Sequence, residues 1–376
     1  MPTALRVPEH SVARRLSNQS GLVVKRQDSE HLSDSLILIK MLVAGVCGTD
    51  LAILSGIRHD RAEVLGHEGV GIVLHAPEGC ALSKGDRVII NPVHRKRPHL
   101  VIGHSRDGIF RELVWFDAVD AVQEGLLVAC PKECALEDAE LVLAEPLASV
   151  LYSFELLREK CSDSTLLIRG AGTVGTLAAR LWPILTGAGT ILVSKSETHA
   201  RWLRESTPWP ANVRVCCVAE LNSAIRESGS PELKAAVLCC SREDSPEGLL
   251  CLLDSVAEGA TIDLMAGFPA EYGEARLAGV TLDRIRWNNI CGVTGSPPTP
   301  VVDRDSKKAV YLVGHRGTAE RHILQAIHFL SRRIVSIADI PHRLFTLEQL
   351  PEAVSRMLST KTRHSTKWVK AIVTFS

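Results

Sequence analysis

LLIRGAGTVGTLAARLW, Leu166 to Trp182, decides how the second half of this chain folds. A short apolar run enters it, three glycines follow as G-x-G-x-x-G at Gly170, Gly172 and Gly175, and a helix-like pattern leaves it. The spacing predicts a strand, a tight turn and a helix. Gly170 would allow the turn, Gly172 would let a ligand come close to the backbone, and Gly175 would let helix and strand pack closely. Thr173 and Val174 would then offer free N–H groups at the positive end of the helix dipole, a place for a pyrophosphate. A plain glycine-rich turn could carry the same glycines. The strand before and the helix after favour a dinucleotide site.

Further short apolar runs follow: TILVS, RVCCV, AAVLCC and TIDLMAG. Helical stretches such as LNSAIRESG and EGLLCLLDSVAEG lie between them. Strands alternating with helices predict an α/β domain built on a doubly wound parallel sheet, over residues 156–296. Upstream, SLILIKMLVAGVC, VGIVLHA, DRVIINPV and FRELVWF read as β-strands cut by Gly, Pro and Asp. Downstream of Pro297, Pro298 and Pro300 the alternation stops. Two helical stretches and a terminal strand, WVKAIVTF, complete the chain. That tail is short for a domain of its own. It is expected to return to the β-rich part, giving a discontinuous domain of 1–155 and 297–376.

The 376 residues carry 43 Lys+Arg and 43 Asp+Glu, so net charge points to neither nucleic acid nor an anionic membrane. No apolar run approaches the roughly 18 residues of a membrane span. The start, MPTALRVPEHSVARR, lacks the apolar core of a signal peptide. A cytoplasmic protein is expected. The 11 cysteines include no C-x-x-C pair, which reads as thiols in a reducing compartment rather than a disulfide scaffold.

Choice of dinucleotide should show after the next strand, where an acid would accept the ribose hydroxyls of NAD. TILVSKSETHAR instead places Ser194, Lys195 and Ser196 there, with Arg201 further on. Hydroxyls and cations suit the 2′-phosphate of NADP. Glu197 as the acid in a shifted register is the alternative, and would mean NAD.

LGHEGVGIV, Leu65 to Val73, sets His67 and Glu68 side by side in an apolar run. Cys47 lies in GVCGTD, and Glu145 in the apolar LAEPLASV. Sulfur, imidazole and carboxylate are good zinc ligands, and three of them plus an open position describe a catalytic site. Taken singly, each would equally suit a buried or salt-bridged structural role.

Together, GVCGTDLAILSG, LGHEGVGIV, GDRVIINP, DGIFREL, LAEPLASVLYSFE and LLIRGAGTVG resemble the zinc-dependent medium-chain alcohol and polyol dehydrogenases, in the same order. The ending IPHRLFTLEQLPEAVSRM is similar too, so the resemblance runs from Leu36 to the C-terminus. It implies a GroES-like β-rich catalytic domain interrupted by a Rossmann domain. It also implies Cys47 and His67 as zinc ligands, with Glu68 or Glu145 as the third. Thr49 would hydrogen-bond the reacting oxygen and Asp50 would order the ligand loop. The implied activity is hydride transfer between NAD(P) and a secondary alcohol or ketone, in the range of polyols, sugars and cyclitols. The implied assembly is a homodimer or homotetramer, joined along the strand near Asn289–Gly295.

Two departures modify these expectations. NPVHRKRPHLVIGHSRDG has no cysteine where many relatives hold a structural zinc, so one catalytic zinc and no structural zinc is expected. His94, His99 and His104 in that stretch match no zinc template and read as part of a basic surface loop. Ala52 stands where relatives often place a proton-relay histidine. His59 could serve instead, or the chain could be a dinucleotide-binding sensor or scaffold of the same fold without catalysis.

Overall fold

The computed structural model describes residues 5–16, 20–230, 232–277, 279–294, 297–359 and 367–375. It divides into two compact units, Met1–Ala148 with Gly317–Ile337 and His342–Ser376, and Ser149–Arg316 with Ala338–Pro341.

The second unit is built on a seven-stranded sheet in the order Val213–Cys217, Thr190–Ser194, Leu166–Arg169, Ala235–Leu238, Thr261–Leu264, Ala309–Val313, Thr299–Val302. The first six are parallel, in the 3-2-1-4-5-6 order of a Rossmann sheet, and the seventh is antiparallel. Strands such as Leu166–Arg169, Ala235–Leu238 and Thr261–Leu264 are buried along their whole length. That is why they read as unbroken apolar runs rather than alternating ones.

Two expectations are corrected here. The boundary expected before Pro297 falls later, because Thr299–Val302 and Ala309–Val313 both pair into this sheet. Pro300 is tolerated there because it sits in an edge strand, where a missing N–H breaks no central ladder. The stretch from Asn289 is not the last strand of the sheet either. Asn289–Ile290 folds back on Val293–Thr294 as a separate hairpin. Its turn residues, Cys291 and Gly292, both have positive φ (47° and 79°), as a two-residue turn with the right twist requires. Gly295 lies outside the described residues.

In the first unit a seven-stranded sheet centres on Leu36–Val46, flanked by Glu68–His75 and by Lys370–Thr374, all antiparallel to it. Leu113–Asp117 pairs with the same strand. Ile37, Ile39 and Met41 alternate into a core with Val64, Val73, Ile90, Phe110 and Val373. Strand period 2 explains that pattern, and a register shift between Met41 and Val43 re-aims the strand before it reaches Cys47. Among the described residues, no helix is long and apolar enough to cross a membrane.

One buried acid in the second unit yields a stability prediction. Asp263 is fully buried in Thr261–Leu264, and neither carboxylate oxygen has a hydrogen-bond partner. Burial pushes its pKa up to about 7, against the pull of nearby Ser153 and Arg286; His315 Nδ1 stands 3.8 Å away. The folded state therefore keeps this proton where the unfolded chain has released it. Stability from this group should fall as pH rises from the ordinary carboxylate range through about 7. Urea unfolding from pH 4.5 to 8 should show that slope flattened in Asp263→Asn. The variant should gain roughly 2 kcal/mol over the parent at the alkaline end. An unchanged slope would contradict the assignment.

Candidate metal centre and dinucleotide turn

Cys47 closes the strand Leu36–Val46 and caps the helix Gly48–Leu54. Asp50, completely buried in that helix, fixes the turn: its carboxylate accepts from Cys47 N at 2.8 Å and from Gly66 N at 3.1 Å. His67 Nδ1 lies 3.6 Å from the same carboxylate. One acid thus joins the two segments that carry the sulfur and the imidazole. Gly66 has φ +88°, and a Cβ there would stand 2.5 Å from the Phe110 ring, so the bend that presents His67 requires glycine. The His104 ring meets His67 edge-on at 4.8 Å between centroids.

Burial works against ionisation of the Cys47 thiol, but the hydrogen bond and charge of His67 outweigh it and lower its pKa to about 7. Burial likewise opposes a charged His67, yet the Asp50 carboxylate raises its pKa well above the usual value. Glu145 is buried in the helix Ala144–Cys161. Burial pushes its carboxyl up to about 7; the charge of His67 opposes this and that of Cys47 adds to it.

Glu68 has a partner that sequence reasoning missed. The Lys370 ammonium, 1% exposed, forms an ion pair with it, and Lys370 Nζ also reaches Val46 O at 3.4 Å. Gly45 opposes Glu68 in the sheet register, and a Cβ there would stand 2.5 Å from Lys370 Nζ and 2.8 Å from Glu68 Oε2. Glycine at 45 is what leaves room for the pair. Nothing around WVKAIVTF signals this, because a lysine in a terminal strand reads as a solvated residue. Removing one partner of a buried pair strands the other charge. Lys370→Met should therefore lower unfolding stability by about 3 kcal/mol, read by chemical denaturation.

Cys47, His67 and Glu68 each offer a donor atom, all within 4.8 Å of one another. Among the described residues this is the group of His, Cys, Asp and Glu close enough to hold a metal ion. The donor set fits zinc: one soft sulfur, one imidazole, one carboxylate, and a second buried carboxyl at Glu145 within electrostatic reach.

Residues 33–131 match the model of the alcohol dehydrogenase GroES-like domain. The glucose 1-dehydrogenase of Thermoproteus tenax is 33% identical over 346 residues, covering 84% of this chain and 87% of that protein. The chain belongs to the zinc-type medium-chain dehydrogenase/reductase family. A zinc-type alcohol dehydrogenase-like protein of Haemophilus influenzae is 29% identical over 209 residues, 50% of this chain; the match spans 58% of that protein's length. Among solved structures, an alcohol dehydrogenase from Thermotoga maritima superposes with a TM-score of 0.70 at 19% identity, covering 99% of this chain and 100% of that one. The fold of this family member is thus a GroES-like domain with a Rossmann-type sheet.

The glycine turn has the form its sequence predicts. Gly170 has φ +129°, and a Cβ on Gly175 would overlap the carbonyl oxygen of Gly170. Gly172 caps the helix Thr173–Thr186, and nothing lies within 4 Å of where its Cβ would be. The open side of the turn is therefore at Gly172, beside the N-terminal residues Thr173 and Val174. After the next strand, Ser194 is buried and bonds His199 Nδ1 at 3.2 Å, and Ser196 caps the helix Glu197–Ser206. Lys195 Nζ lies 2.6 Å from Asp244 Oδ1. Glu197 pairs with Arg201 at 2.7 Å on the solvent side, so the alternative acid and the outermost cation engage each other.

The three histidines of the cysteine-free stretch do not converge. His99 is exposed, and His104 lies against His67 and Arg58. His94 is buried, 3.2 Å from Asp120 Oδ1, and accepts from Arg97 N at 3.1 Å. Arg97 grips Asp120 and Lys96 grips Glu124. The stretch expected to be a basic surface loop is in fact anchored by a buried histidine and a network of acid–base pairs. His59 is exposed, and Ala52 is half-buried in the helix Gly48–Leu54.

Proposed function

We propose that this chain is a zinc-dependent oxidoreductase that moves a hydride between NAD(P) and a secondary alcohol or ketone of the polyol, sugar or cyclitol type. The observation that carries the reading is the convergence of Cys47, His67 and Glu68 within 4.8 Å, with the buried Glu145 within electrostatic reach. Cys47 and His67 would hold the ion, with Glu68 or Glu145 as the third ligand. A zinc ion there supplies Lewis acidity, polarising a carbonyl or lowering the pKa of an alcohol. Thr49 Oγ1, 3.7 Å from Cys47 Sγ, would hydrogen-bond the reacting oxygen and begin a proton path, passing its own hydroxyl proton on as it receives one. Asp50 keeps His67 oriented while this happens.

Gly170, Gly172, Thr173, Val174 and Gly175 would bind the pyrophosphate at the helix N-terminus. Ser194, Lys195, Ser196 and Arg201 favour NADP over NAD, since hydroxyls and a cation, Ser194, Lys195 and Ser196, end and directly follow the strand Thr190–Ser194 in the chain. One catalytic zinc and no structural zinc belongs to the same reading. So do a cytoplasmic location and a homodimer or homotetramer. Thr299–Val302 is one edge of the sheet, with Val302 58% exposed, and would serve for assembly.

Metal analysis combined with NADPH-dependent reduction of a panel of keto-polyols, keto-sugars and cyclitol ketones tests the proposal. About one zinc per chain, lost together with turnover on chelation, is the expected result. Bound metal and cofactor with no turnover on any ketone would instead support the non-catalytic sensor, which the missing relay histidine at Ala52 favours.

A further inference from the structure

The His67 ring, buried in the metal centre, is restrained at one edge by Asp50 across 3.6 Å. That distance is longer than a hydrogen bond. A ring that must present one nitrogen to an ion in a fixed direction needs a second restraint.

The segment from Gly103 to Phe110 supplies one. It runs backbone to backbone along Val64, Leu65 and Gly66. Gly108 N donates to Val64 O at 2.7 Å, Ile109 N to Gly66 O at 3.1 Å and Phe110 N to Leu65 O at 3.0 Å. Asp107 Oδ1 accepts from Glu63 N at 2.8 Å and from Val64 N at 3.1 Å. A Cβ on Gly103 would stand 2.6 Å from Gly66 O, so glycine there permits the close approach. His104, 8% exposed, is thereby set against His67, with ring centroids 4.8 Å apart and planes at 79°. That is the edge-to-face arrangement aromatic rings favour.

The His104 ring is itself oriented. Its backbone carbonyl accepts from Ala62 N at 2.8 Å. Arg58 Nη2 lies 3.2 Å from His104 Nδ1, and Asp60 grips Arg58 in an ion pair. A guanidinium only donates, so Nδ1 accepts, which sets how the ring is turned. His104 is outside the group of donor atoms that could share an ion.

We propose that His104 is a positioning residue for the metal ligand His67: Asp60, Arg58 and His104 form a brace that adds to the hold of Asp50 and presents the imidazole to the ion in one orientation. This rests on reading Cys47, His67 and a carboxylate as a zinc site. His104 acts through His67 and touches neither ion nor substrate in this role.

Zinc affinity of the purified full chain, measured by competition with a chelating dye, tests it together with the visible spectrum of the cobalt-loaded protein. His104→Gln keeps an acceptor for Arg58 and loses the ring. Zinc should bind it about 10-fold more weakly. Its cobalt ligand-field bands should shift even at saturating cobalt, which a general loss of stability would not cause. His104→Phe and Arg58→Met both keep a ring and lose the bond that turns it, so each should weaken zinc by only about threefold. Unaltered affinity and bands in His104→Gln would overturn the role of His104. So would a His104→Phe variant that binds zinc as weakly as His104→Gln. If His104→Gln does not fold, unaltered affinity in both other variants would overturn it. A wild type that binds no zinc would remove the metal centre itself, and the proposal with it.

Discussion

Cys47→Ala should yield a folded protein that neither holds zinc nor turns over. The thiol contacts Thr49 Oγ1 at 3.7 Å and interacts with His67, and the loop around it is fixed by Asp50 through the backbone of Cys47 and Gly66. Those backbone bonds survive the substitution, so the unfolding transition should move by no more than about 1 kcal/mol. The metal should not survive it. Removing the sulfur leaves one imidazole and carboxylates, a poor set for zinc against competing ions. Loss of a Lewis acid worth several kcal/mol at the transition state should lower kcat/KM by about 10⁴-fold. Atomic emission on dialysed protein and progress curves with NADPH and a keto-polyol read both effects. Cobalt substitution gives a second reading, since the thiolate-to-cobalt band should vanish in the variant. Full metal content with unaltered turnover would mean that Cys47 is a buried thiol and the centre lies elsewhere.

Two glycines three residues apart should behave in opposite ways. Gly175→Ala places a methyl group against the carbonyl oxygen of Gly170 and 3.2 Å from Cys239 Sγ. Backbone must move to admit it, so the helix Thr173–Thr186 lifts from its strand. A stability loss of about 3 kcal/mol or more is expected. Gly172→Ala meets nothing within 4 Å, and Gly172 has φ −86°, which any residue adopts. Its stability should change by no more than about 0.5 kcal/mol. Its methyl would occupy the open side of the turn, where a pyrophosphate must approach the backbone. Dinucleotide affinity should therefore fall by about 30-fold or more in an otherwise intact protein. Chemical denaturation and dinucleotide titration on both variants separate the two roles. Intact affinity in Gly172→Ala would remove the dinucleotide reading of the turn.

Much of this was legible because the signals are local. A strand, a glycine turn and a helix within seventeen consecutive residues impose their own geometry, and the parallel sheet follows from repeated buried runs. Cys47 and His67 were legible for a different reason: a thiol and an imidazole in apolar segments need a partner wherever they lie. The errors were also of one kind. Prolines near 297–300 read as a boundary, yet an edge strand accepts Pro300. An apolar stretch from Asn289 read as a sheet edge, yet two consecutive positive-φ residues fold it back on itself. His94 read as part of a surface loop, yet acids some 26 residues away draw it inside.

From the sequence alone came the fold class, the glycine turn and the proposal that Cys47 and His67 hold a metal, because periodicity, glycine spacing and residue chemistry act over a few residues. Only the tertiary structure revealed that Lys370 neutralises Glu68 through the gap left by Gly45, and that Asp50 joins the segments carrying Cys47 and His67. Glu68 and Lys370 are 302 positions apart in the chain. Electrostatic partnership depends on distance in space, and strand pairing brings such residues together without leaving a trace in the neighbours of either one.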